Sequence, residues 1–116
     1  MRICLIGYGY WGKNLARVFG KDLVGICDYN QDNLDKAKKL YDVQYFSKWE
    51  DLYQSNLEYD TVAIATKADT HFDLANKFLI NKKNIWLEKP ACIKLKDIEQ
   101  LIKIRGDKKV FVDHTF

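Results

Sequence analysis

Three glycines in the run Gly7-Tyr8-Gly9-Tyr10-Trp11-Gly12 follow the apolar stretch Ile3-Cys4-Leu5-Ile6 and open a helical pattern. A turn that binds phosphate needs that order. Gly7 allows the tight turn, Gly9 lets backbone approach a diphosphate, and Gly12 lets the next helix pack on the strand. Amides at the helix start then face the phosphates with the positive end of the helix dipole behind them. A glycine-rich turn without a ligand has the same letters, so context has to decide. Asp28 supplies it, 21 positions after Gly7 at the end of a second apolar run, Leu23–Cys27. A carboxylate there can accept hydrogen bonds from both adenosine ribose hydroxyls and repels a 2′-phosphate; its plainer use is to cap the following helix. No arginine occurs in Tyr29-Asn30-Gln31 to hold such a phosphate. Loop and acid together predict NAD as cofactor, in preference to NADP. Tyr10, Trp11 and Tyr29 flank these two features, are counted with the cofactor site, and are expected to be exposed aromatics that something normally covers.

Positioning these groups requires strands that alternate with helices, and the pattern supplies them. Residues 13–19 read as a short helix closed by Gly20. Asn30 can cap a helix to about Tyr41 with Leu34, Ala37 and Leu40 or Tyr41 on one face. Residues 43–46 form a brief strand, and Ser47 starts a small helix carrying Trp49, Leu52 and Tyr53. Residues 61–65 are a β-branched strand, followed by a loop at 66–68. Asp69 is placed as the N-cap of a helix to about Ile80, whose buried stripe is His71, Leu74, Ala75, Phe78 and Leu79. Strands at 84–87 and 110–112 bracket a helix marked by Ile98, Leu101, Ile102 and Arg105. This alternation predicts an α/β, doubly wound parallel sheet of about six strands in the order 3-2-1-4-5-6, helices on both faces. Residues 1–116 are expected to form one such Rossmann domain.

Composition excludes several classes. With 47% hydrophobic and 30% charged residues the chain has the balance of a globular protein. No apolar run approaches the ~20 residues of a membrane span, and no leader pattern opens the sequence, so no membrane partner and a cytoplasmic location are expected. The net charge of +3 is spread over isolated lysine pairs beside acids, which argues against a nucleic-acid partner. Cys4, Cys27 and Cys92 have neither metal-ligand spacing nor an even count, so no metal site and no disulfide framework are expected.

Several segments together resemble the glucose–fructose oxidoreductase / inositol dehydrogenase (Gfo/Idh/MocA) family: GYGYWGKN at 7–14, the acid of CDYN at 27–30, AIATKADTH at 63–71, EKP at 88–90 and VDHTF at 112–116. The EKP tripeptide is the specific element. The wording around Trp11-Gly12-Lys13-Asn14 resembles members that act on nucleotide-linked sugars. The resemblance implies that Ala65, Thr66 and Lys67 line the cofactor cleft, with Lys67 standing where the family has proline. It implies that His71 closes that motif, although a histidine packed on the buried helix face would look the same. Glu88 and Lys89 are implied beside the nicotinamide and substrate, followed by Pro90 with a cis bond; a surface ion pair is the plainer use of the two charges.

Oxidising a secondary alcohol removes a hydride and a proton together, so a nicotinamide and a base are both needed. A lysine beside a carboxylate in a closed cleft can be that base if desolvation lowers its pKa. The resemblance further implies a second α/β substrate domain, for which no residues follow Phe116. The expectation is an excised cofactor domain, inactive or nearly so alone, prone to self-associate as a homo-oligomer. Sugar or nucleotide-sugar substrate would then bind only with a second domain or partner. A free-standing NAD-binding module or split-enzyme subunit is the alternative, and a doubly wound methyltransferase is disfavoured by EKP and the paired loop and acid.

Overall fold

Every residue of the first apolar run is buried, and that run is the central strand β1, Ile3–Ile6. A computed structural model describes residues 1–66, 68–87 and 110–112, with side chains over 1–66 and 73–86. The other strands are β2 (Leu23–Cys27), β3 (Gln44–Phe46), β4 (Thr61–Ile64), β5 (Asn84–Leu87) and β6 (Val110–Val112). They form a six-stranded sheet in the order β3-β2-β1-β4-β5-β6. All neighbouring pairs run parallel, with Ile6 opposite both Cys27 and Ile64. The helices between them are α1 (Tyr10–Phe19), α2 (Gln31–Lys38), α3 (Trp49–Tyr53) and α4 (Ala68–Ile80).

Side chains alternate across a strand, so β1 feeds two cores at once. Ile3 and Leu5 join Ile26 and Ala63 against Leu15 and Ala16 of α1 and Leu34 and Ala37 of α2. Cys4 and Ile6 join Val62 and Ile64 against Leu52 of α3 and Leu74, Ala75, Phe78 and Leu79 of α4. Helices therefore cover both faces, as the alternation predicts. Phe78 is fully buried, with the rings of Trp49, Tyr53 and Tyr59 set edge-on around it at 5.4–6.5 Å. That arrangement suits the quadrupoles of packed rings.

Element boundaries differ from the sequence expectation in three places that matter for the site. Helix α1 begins at Tyr10 rather than Lys13, because Gly9 is already the extended N-cap and its carbonyl accepts from the Lys13 amide at 2.9 Å. Helix α2 stops at Lys38 rather than near Tyr41. The amides of Leu40 and Tyr41 both turn back to the Ala37 carbonyl, and Tyr45 Oη donates to the Tyr41 carbonyl at 2.6 Å, drawing the chain into β3. Leu40 is consequently exposed. Helix α4 begins at Ala68, so Asp69 lies inside its first turn rather than capping it. The helix expected around Ile98–Arg105 and Cys92 lie outside the described residues.

Candidate functional site

The carboxyl ends of β1, β2 and β4 come together at the point where the strand order reverses. Gly7, Gly9, Asp28, Tyr29, Ala65 and Thr66 all line one cleft of about 1130 Å3 there. In an open parallel sheet this switch point is where ligands bind.

The three glycines are needed for three different reasons. Gly7 has φ +100°, and a Cβ on it would lie 2.8 Å from the backbone of Ala65. A Cβ on Gly12 would fall on the Gly7 carbonyl. Both positions are therefore demanded by the fold itself: turn and helix can meet only without side chains. Gly9 is different. Its φ of −81° is open to any residue, and a Cβ there would meet nothing within 4 Å. No contact within the described fold requires Gly9 to be bare, and the open space beside it leaves room for a group to lie against the backbone. A diphosphate at the start of α1 is such a group, so the loop fits the phosphate group of a dinucleotide.

Asp28 is 7% exposed and works harder than the sequence suggests. Its Oδ2 accepts from the Tyr8 amide at 2.7 Å and from Asn33 Nδ2 at 3.1 Å, while Oδ1 accepts from the Asn30 amide at 2.8 Å. Of the roughly four acceptor positions on a carboxylate, three are thus used by the protein, which leaves one on Oδ1 for a ligand hydroxyl. The cap of α2 is Asn30, whose Oδ1 accepts from the amides of Asp32 and Asn33. Asp28 is not that cap but the clamp that ties the glycine loop to the end of β2.

Cys27 lines the cleft beside it. Burial first, then the negative charges of Asp28, Glu50 and Asp51, push its thiol up to about 12. Burial likewise pushes the Cys4 thiol to about 12. Neither sulfur is a thiolate at neutral pH, and both serve as small core side chains.

Of the other residues singled out from sequence, Gly12 is buried behind the loop. Tyr10 and Trp11 are not among the cleft-lining residues. They stand on the exposed first turn of α1, edge-on to each other at 5.0 Å. Tyr29 is 84% exposed at the cleft rim. Lys67, Glu88, Lys89 and Pro90 lie outside the described residues, as does the side chain of His71. Sequence reading missed Asn33, Ser47, Lys48, Trp49, Asn76 and Lys77, which line the same cleft. None of them carried a signal in the sequence as a site residue. Among the described residues, no group of three or more His, Cys, Asp or Glu could hold a metal.

The sequence model of the Gfo/Idh/MocA family, described as an oxidoreductase family with an NAD-binding Rossmann fold, matches residues 1–115. The chain belongs to this family. It is an NAD-binding Rossmann domain of a Gfo/Idh/MocA oxidoreductase. The myo-inositol 2-dehydrogenase of Thermotoga maritima is 29% identical over 109 residues, covering 89% of this chain and 32% of that protein. The chain thus spans about a third of the length of that Gfo/Idh/MocA relative. Among solved structures, the WlbA dehydrogenase of Bordetella pertussis, in complex with NADH and UDP-GlcNAcA, superposes with a TM-score of 0.86 at 24% identity, covering 97% of this chain and 35% of that one. Biliverdin reductase of Synechocystis, in complex with biliverdin and NADP+, superposes at 0.85 and 26% identity, covering 97% and 37%. No helix among the described residues is long and apolar enough to cross a membrane.

Proposed function

We propose that this domain is the cofactor half of an NAD-dependent oxidoreductase that oxidises a secondary hydroxyl of a sugar, nucleotide sugar or polyol. The observation that carries the cofactor choice is Asp28, a buried carboxylate at the cleft with one acceptor position left for a ribose hydroxyl. A 2′-phosphate placed there would meet a negative charge that the protein cannot move, because three donors fix it. The fold itself serves either dinucleotide, since the Synechocystis relative holds NADP+. Local chemistry at Asp28 therefore decides.

When bound, NAD supplies the hydride acceptor. The chain's own residues bind and orient it: backbone of Gly7–Gly12 at the diphosphate, Asp28 at the adenosine ribose, Ala65, Thr66 and Lys67 along the β4 side. Lys89 takes the hydroxyl proton and Glu88 holds the lysine, with Pro90 and His71 shaping that end. These four roles rest on the family motif. The family's sugar- and polyol-oxidising members support the substrate class, and Trp11-Gly12-Lys13-Asn14 favours a nucleotide sugar within it. Substrate binding and turnover need a second domain or a partner chain; the exposed Tyr10–Trp11 pair supports a surface that self-association covers, and the location proposed is the cytoplasm. Turnover separates the alternatives: a split-enzyme subunit gives it when its partner chain is added, and a cofactor domain gives it within the complete enzyme. A free-standing NAD-binding module gives none with any partner.

Calorimetric titration with NAD and NADP tests the cofactor choice. Tighter binding of NAD by at least about tenfold is expected from one charge-assisted hydrogen bond gained or one repulsion incurred. Tighter binding of NADP removes the assignment of Asp28. In the complete enzyme, Lys89→Ala is expected to cut turnover by about 100-fold or more with little change in NAD affinity; equal losses in both remove its proton-transfer role.

A further inference from the structure

A carboxylate at the end of β2 is expected to accept from both adenosine ribose hydroxyls, yet Asp28 has a single acceptor position left after its three internal bonds. A vicinal diol brings two O–H donors to the cleft. For the protein to meet both, a second acceptor has to stand beside the carboxylate. Asn33 stands there. It lines the same cleft as Asp28, and its Nδ2 donates to Asp28 Oδ2 at 3.1 Å.

That bond fixes which way the asparagine amide is turned. A carboxylate only accepts, so the nitrogen has to face Asp28 and the amide oxygen has to point elsewhere. Among the described residues, Asn33 Oδ1 takes part in no hydrogen bond, and it is not sealed away like a core acceptor. The residue is half-buried, with part of its surface on the cleft wall. Its place is also held by main chain. The Asn33 amide donates to Asn30 Oδ1 at 3.3 Å, and the Asn30 amide donates to Asp28 Oδ1 at 2.8 Å. Asp28, Asn30 and Asn33 thus form one closed set of hydrogen bonds, which fixes carboxylate and amide relative to each other. An amide suits this place better than a second carboxylate would. It adds an acceptor without putting two negative charges side by side.

We propose that Asp28 and Asn33 divide the adenosine ribose diol between them, Asp28 Oδ1 accepting from one hydroxyl and Asn33 Oδ1 from the other. This rests on the NAD-binding reading of Asp28 given above. A site that hydrogen-bonds each hydroxyl rejects a cofactor lacking either one, because its own acceptor is then left unmatched.

The test titrates the 116-residue chain with NAD and with two analogues, one lacking the 2′-hydroxyl and one the 3′-hydroxyl of the adenosine ribose. The native chain is expected to bind each analogue about fivefold or more weakly than NAD. In Asn33→Leu, NAD itself should bind about fivefold more weakly, one of the two penalties should shrink to within about twofold, and the other should persist. A native chain that binds either analogue as well as NAD has no second acceptor, which overturns the inference without any variant. Two penalties that both persist in Asn33→Leu put the second acceptor on another residue. Two that both vanish mean that Asp28 takes the whole diol and Asn33 only holds it. Either result overturns the inference as well. If the native chain binds no NAD at all, the cofactor reading itself fails, and this inference falls with it.

Discussion

The two ends of the cleft are built in opposite ways. At the glycine end the wall is backbone held in place: a side chain on Gly7 would strike the Ala65 backbone, one on Gly12 would strike the Gly7 carbonyl, and Asp28 holds the Tyr8 amide at 2.7 Å. At the far end the cleft is walled by side chains of α3, α4 and the turn before α3, Ser47, Lys48, Trp49, Asn76 and Lys77 among them. The first end is fixed whether or not a ligand is present. The second has no such steric lock in its backbone, and its lining can change one side chain at a time. In the proposed orientation, the diphosphate that every dinucleotide carries would meet rigid main chain, and the parts that differ between nucleotides would meet exchangeable side chains.

The largest effect should come from breaking the rigid end. Gly12→Ala places a methyl group on the Gly7 carbonyl, and overpacking of this kind costs on the order of 3 kcal/mol. Thermal denaturation should show Tm lowered by roughly 10 °C or more, with NAD binding lost. Asp28→Ala comes next. It leaves the buried Tyr8 amide without its acceptor, at a cost of about 1–3 kcal/mol, and NAD affinity should fall by roughly 10- to 100-fold in calorimetry. Gly9→Ala sharpens the contrast further, because its Cβ enters open space. Stability should stay within about 0.5 kcal/mol of the native chain while NAD affinity drops about tenfold. A parallel loss of stability would mean that Gly9, like its neighbours, is required by the fold rather than by the ligand.

The smallest effect appears only in alkali. The Cys4 and Cys27 thiols are pushed from 9.0 to about 12 in the folded chain by burial. A folded pKa above the unfolded one leaves stability intact below pH 9 and removes it as the pH climbs from 9 towards 12. Denaturant midpoints should therefore be flat in this respect from pH 7 to 9 and fall above it, and Cys27→Ala should lessen the fall. An unchanged slope in that variant would show that other groups drive the alkaline loss.

The same contrast explains what the sequence disclosed. Gly7 and Gly12 are legible because a steric requirement admits one residue type, and β1, β4 and α4 because burial imposes a periodic pattern. The start of α1 was less so: Tyr10 and Trp11 look like loop residues, and the cap that launches the helix is a glycine with no side chain to read. Asn33 and Asn76 were invisible for another reason. They share a cleft only because β2 and β4 flank the same central strand, and an asparagine on a helix shows no preference until the fold gives it a neighbour. The double duty of Asp28 was hidden likewise, since spacing marks the acid but not the amide that it holds.

That double duty has a consequence for how cofactor preference can drift or be engineered. Exchanging the acid at the end of β2 for a small or basic residue is the obvious route from NAD to NADP. Here such a change also unhitches the loop at Tyr8, so the intermediate would recognise neither dinucleotide well. A substitute acceptor for the Tyr8 amide has to be installed first, from α2 or from the loop itself. Switching preference in this domain is a two-step path with an ordered sequence of mutations, and the hydrogen bond from Tyr8 sets the order.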